Sequence, residues 1–180
     1  MKKLNILGLA ISAALCIPMA AQASDGTITF TGELTDSTCT INGGAGKDFT
    51  VALPKVSVAD LAAAGKTAGA TNFSINVTAC SASVAGYTAY FEATPNVNLA
   101  DGRLMNTTTA GAKFVEIELL NQANTAVAIN LTKGTGLQGV TPGTFTNPAG
   151  TSNFIARYYA TGVSTSGLVN SSITYSLVYN

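Results

Sequence analysis

The chain has 180 residues, a length that fits one domain, with nine basic and nine acidic residues and a formal net charge of zero. It contains no histidine and no basic patch. That removes the commonest general base and metal ligand, and the charge needed to hold nucleic acid or an anionic membrane. Charged residues make up only 10% of the chain, while Thr, Asn, Ser, Gly and Ala are abundant, so copies of this surface repel one another little.

Met1-Lys2-Lys3, the apolar stretch Leu4–Ala14 and the small-x-small site Ala21-Gln22-Ala23 form a secretory signal peptide over residues 1–23. The apolar part is too short for a membrane span, and no later segment reaches the roughly 18 apolar residues a transmembrane helix needs. Cys16 lies in the removed segment, and Leu15 before it is not the small residue of a lipoprotein site. Cleavage also removes Lys2 and Lys3, which leaves the mature chain slightly acidic. In Thr27–Leu34, Ile28, Phe30, Gly32 and Leu34 share one face while Thr27, Thr29, Thr31 and Glu33 share the other. This period of two predicts a half-buried strand at the mature terminus, within an extension spanning 24–36. The plainest alternative is an ordinary first strand paired within its own domain.

Cys39 and Cys80 are the only cysteines left after cleavage. In an exported chain they form one disulfide, closing a loop of about 40 residues and worth about 3–4 kcal/mol. A metal site is the rival, and it lacks histidine and close cysteine spacing. Short alternating runs follow: Phe49–Leu53 up to Pro54, Phe73–Val77, Tyr87–Ala93, Val115–Leu119, Val127–Leu131, Phe154–Tyr159 and Ile173–Tyr179. Strands of this length and spacing predict an all-β antiparallel sandwich. Val56–Ala64 departs from the pattern, with good helix formers ending at Gly65, and predicts one short helix. Lys133–Ser152, rich in Gly, Pro, Thr and Asn, predicts a long loop.

Two strings imitate catalytic motifs. Glu116 and Glu118 resemble a glycosidase carboxylate pair, but on a strand they share one face opposite Val115, Ile117 and Leu119, which predicts a solvated face. Gly134-Thr135-Gly136-Leu137-Gln138-Gly139 matches GxGxxG, yet Val140-Thr141-Pro142-Gly143 follows, which starts no helix to receive a pyrophosphate. That string reads as a flexible loop. The sequence offers no catalytic constellation, metal site or cofactor site. At the other end, Ile173, Tyr175, Leu177 and Tyr179 alternate up to Asn180, the last residue given, so the strand is expected to have one edge without a neighbour.

Taken together, the signal peptide, the leader TITFTGEL, Cys39 in STCTI, Cys80 in NVTAC and VSVADLAAAGKTA resemble the chaperone–usher pilins. The likeness is greatest to the type 1 fimbrial major subunits. Ala156–Gly162, Gly167 and the penultimate Tyr179 extend it over the whole chain. The resemblance implies an incomplete immunoglobulin-like sandwich lacking its last strand, with a pilin domain over 37–180 and a donor strand in the 24–36 extension. It implies a donor face of Ile28, Phe30, Gly32 and Leu34. The acceptor edge, held first by a chaperone, would comprise Gly167, Ile173, Tyr175, Leu177, Tyr179 and Asn180. The implied partners are other pilin subunits, a periplasmic chaperone whose basic cleft takes the Asn180 carboxylate, and an outer-membrane usher. The implied location is a surface fimbrium supporting cell adhesion. A minor or tip-proximal pilin and a secreted β-sandwich carbohydrate-binding module are the alternative readings.

Overall fold

Alternation of apolar and polar side chains builds the strands of this protein. In the computed structural model, which describes residues 29–31, 39–42, 47–122 and 127–179, they are β1 (Thr40–Ile41), β2 (Thr67–Thr78), β3 (Tyr87–Phe91), β4 (Leu104–Met105), β5 (Val115–Asn121), β6 (Val127–Ala128), β7 (Thr144–Thr146), β8 (Ala149–Ala160) and β9 (Tyr175–Tyr179). One sheet has the order β1-β2-β8-β5-β4, with β6 on β5 and β7 on β8; the other is the pair β3–β9. Every strand pairing is antiparallel. Contacts divide the chain into two units, Met1–Thr35 and Asp36–Asn180. Of the first, Thr29–Thr31 is described; it forms no ladder, and Phe30 is 89% exposed.

The two sheets face each other across one core. Ile75, Leu119, Phe154 and Ala156 of the large sheet meet Ala89 and Phe91 of the small one. Phe91 stands edge-on to Phe154 with ring centroids 5.3 Å apart. Val97, Leu104, Ile129 and Leu131 complete this cluster. The disulfide joins Cys39 to Cys80, ties the start of β1 to the end of β2, and packs beside Val77, Val84 and Tyr87. Among the described residues no helix is long and apolar enough to cross a membrane.

Four expectations are corrected. The helix of Val56–Ala64 is a single 3-10 turn, Val58–Leu61, capped by Ser57 Oγ accepting from Ala59 N at 3.2 Å. Only Leu61 of it is buried, so no apolar stripe exists to stabilise a longer helix. Phe49–Leu53 is not a ladder strand: Val51 and Leu53 pack on the core, but no backbone bond of 48–56 is found among the described residues. The far part of the loop 133–152 is the hairpin β7–β8, in which Phe145 packs edge-on to Tyr87.

The fourth correction concerns Glu116 and Glu118, which are buried rather than solvated. Arg103, just before β4, and Arg157 of β8 reach over the face they share. Glu118 accepts from Arg103 Nε at 3.0 Å and from Arg157 Nε and Nη2 at 2.8 and 2.6 Å. Arg103 in turn lies 3.5 Å from the Tyr159 ring centroid. Glu116 accepts from Asn98 Nδ2 at 2.7 Å. A buried carboxylate survives where cations and amides are brought to it.

Candidate functional site

The small sheet has one satisfied side and one open side. β9 pairs with β3 from Tyr175↔Phe91 to Tyr179↔Tyr87. Upstream of β9 the chain stays extended, and its carbonyls are met on that same side. Leu168 O accepts from Ala112 N (3.0 Å) and Asn106 Nδ2 (2.9 Å), and Asn170 O accepts from Thr107 N (2.9 Å). Ser172 O accepts from Asn96 Nδ2 (3.1 Å) and Thr174 O from Glu92 N (2.9 Å). Successive residues of an extended chain turn their backbone groups to opposite sides. The N–H and C=O groups of Val169, Ser171, Ile173, Tyr175, Leu177 and Tyr179 therefore face the other way, where no backbone partner is found among the described residues.

These same odd-numbered residues turn their side chains toward the core. Val169 packs on the Leu61–Val115 cluster, Ile173, Tyr175 and Leu177 on the main core, and Leu177 and Tyr179 on the cluster around the disulfide. All are half-buried, whereas Asn170, Ser172 and Thr174 are exposed. The open edge is thus a row of unpaired peptide groups above an apolar floor.

A second extended segment lies against the same core. Tyr175 Oη donates to Lys47 O at 2.8 Å, and Phe49 lies 6.1 Å from the Tyr175 ring and 6.2 Å from that of Phe73. Burial raises the Tyr175 phenol pKa, and the charge of Asp48 adds to the effect. Residues 47–53 and 167–179 thus both contribute apolar side chains to the core, and both have unpaired backbone.

The expected site residues distribute as follows. Ile173, Tyr175, Leu177 and Tyr179 share the open edge. Gly167 is at its start, where φ is +152° and a Cβ would lie 2.4 Å from Ala112 N. Glycine there lets the chain close onto residues 111–112. Phe30 is exposed, while Ile28, Gly32, Leu34 and Asn180 lie outside the described residues. Sequence reasoning missed the roles of Asn96 and Asn106, whose amides satisfy backbone carbonyls of the extended run; only their residue type, abundant in turns, gave any signal.

Residues 53–180 match the family model described as type-1 fimbrial protein, A. The chain belongs to this family. It is 46% identical over 169 residues to the major fimbrial subunit SMF-1 of Stenotrophomonas maltophilia, covering 91% of this chain and 97% of that protein. It is 39% identical over 178 residues to the F17 fimbrial protein of Escherichia coli, covering 97% and 96%. Among solved structures, a subunit of a chaperone–usher pilus matches with a TM-score of 0.59 at 19% identity, covering 91% of this chain and all of that one. That likeness concerns the fold, which is the immunoglobulin-like fold of chaperone–usher pilins. As a type-1 fimbrial family member, the protein is a structural fimbrial subunit exported to the cell surface. The carbohydrate-binding module is set aside.

Proposed function

We propose that this chain is the major shaft subunit of a fimbria and polymerises by giving residues 24–36 of one copy to the 167–179 edge of the next. Residues 1–23 direct export, and residues 37–180 form a sandwich that lacks its last strand. A periplasmic chaperone holds the open edge first, its basic cleft taking the Asn180 carboxylate, and an outer-membrane usher exchanges that strand for the donor of another subunit. The chain is not an enzyme and has no nucleic-acid partner. The observation that carries this reading is the open edge of Val169–Tyr179 above half-buried side chains. Such an edge takes up an added strand.

The donor has the matching pattern. Burying Ile28, Phe30 and Leu34 contributes about 1.5–3 kcal/mol each, a total comparable to the stability of a whole domain. Gly32 interrupts that face where backbones can approach closely. The contact is head to tail and need not close, so it builds an open filament. The name of the SMF-1 relative, a major fimbrial subunit, supports shaft over tip. Deleting residues 24–34 tests the reading. The variant should still form a chaperone complex and accept a strand, yet terminate chains in assembly; loss of chaperone binding would overturn it. Electron microscopy of cells lacking the chain should show no rods, and rods merely shortened would favour a minor subunit.

A further inference from the structure

Among the described residues the small sheet has two strands and therefore two edges, and both border the same core. Tyr87, Ala89 and Phe91 of β3 are as apolar as the residues along β9, and all three are buried. The β3 edge differs in being occupied. The Gln138 carboxamide lies against Phe91 as a neighbouring peptide group would: Oε1 accepts from Phe91 N at 3.0 Å and Nε2 donates to Phe91 O. Gln138 is 3% exposed, and its own carbonyl accepts from Asn130 N at 3.1 Å. At the other end of β3, Gly143 N donates to Tyr87 O at 3.2 Å. A Cβ on Gly143 would lie 2.8 Å from the Tyr87 ring and 2.6 Å from Ser152 Oγ, so glycine allows that approach. Asn121 fixes the stretch between, donating to Gly139 O at 2.6 Å and accepting from Thr141 N at 2.9 Å.

We propose that Gln138 is the specificity-determining residue that keeps an incoming strand off β3 and so assigns strand addition to β9. The inference rests on the reading that 167–179 accepts a strand. A strand laid beside β3 would present a fresh edge of its own; a side-chain amide makes the same two bonds and ends the ladder. The GxGxxG string thus serves to deliver one glutamine.

The test adds a synthetic peptide of the Ser24–Asp36 sequence, carrying a photo-crosslinker in place of Phe30, to the mature chain, and maps the label. The wild type should be labelled on 47–53 and 167–179. Gln138→Leu should raise labelling of 87–91 by about tenfold, the effect of losing a hydrogen-bonded pair. Labelling of 87–91 that stays at the wild-type level in a folded Gln138→Leu overturns the guard alone. Absence of label on 167–179 in the wild type overturns the acceptor reading, and the guard with it. Gln138→Glu keeps the acceptor for Phe91 N and loses the donor to Phe91 O, and it is read in the same way should the leucine variant not fold. Hydrogen exchange needs no variant: a wild-type Phe91 amide exchanging as fast as that of exposed Phe30 also overturns the guard.

Discussion

Glu116 and Glu118 stand two residues apart on one face of β5, yet their carboxylates have different surroundings. Glu118 is met by two guanidinium groups, whereas Glu116 has Asn98 on one oxygen and, among the described residues, no hydrogen-bond partner for Oε2. Burial raises the Glu116 pKa above the ordinary carboxylate value; the Asn98 amide opposes this and the neighbouring Asp101 carboxyl adds to it. The folded state therefore keeps this proton to a higher pH than the unfolded chain does. As pH rises from about 4.5 through the folded pKa, stability falls, because the unfolded chain ionises more readily. Glu116→Gln should remove that loss, raising the melting temperature near pH 7 and leaving it unchanged near pH 4. An equal shift at both values would show that Glu116 acts through packing alone. Gly167→Ala belongs to the same scale. Its Cβ must displace the Ala112 backbone, so the substitution should cost about 2–3 kcal/mol in urea denaturation. It should also speed hydrogen exchange at Ala112, whose amide is bonded to Leu168 O.

At the level of elements, the open edge predicts a binding response. A peptide of the Ser24–Asp36 sequence at a hundredfold excess over its Kd should stabilise the subunit by about 2.7 kcal/mol, several degrees in melting temperature. Leu177→Ala should shrink that gain, since Leu177 packs on two core clusters beneath the edge; a peptide that leaves the melting temperature unmoved would refute the acceptor edge. The strands themselves were legible in the sequence wherever one face is buried. Tyr87, Ala89 and Phe91 alternate with half-buried Thr88 and Tyr90, as a period of two requires. The solvation of Glu116 and Glu118 was misread because the arginines at Glu118 come from 15 and 39 residues away, beyond any local pattern. Phe49–Leu53 carried the alternation of a strand without a ladder, since pattern reports which face is buried and says nothing of a hydrogen-bonding neighbour. Gln138 was invisible for a similar reason: its role depends on the Phe91 backbone, 47 residues away.

For the molecule as a whole, the proposed giving and receiving of a strand are useful only if the two ends are mechanically joined. In the proposed filament, tension from the donor of one subunit passes along the chain to Cys39, the first described residue of that subunit's body. The disulfide passes it to Cys80, just beyond β2, whose ladder with β8 extends from Thr67↔Tyr159 to Val77↔Gly150. Without the bridge, the load falls on the ladder of β1, which among the described residues joins Thr40 and Ile41 to β2. A short ladder pulled from its end opens one pair at a time, whereas the β2–β8 ladder is long and β8 is itself held on its other side by β5. The double variant Cys39→Ser, Cys80→Ser should lose about 3–4 kcal/mol of unfolding free energy, as expected for releasing a loop of this size. Its filaments, pulled in optical tweezers, should lengthen at lower force than wild type, and reductant should make wild-type filaments behave in the same way. Variant filaments that yield only at the wild-type force would show that tension bypasses the disulfide and enters the body elsewhere.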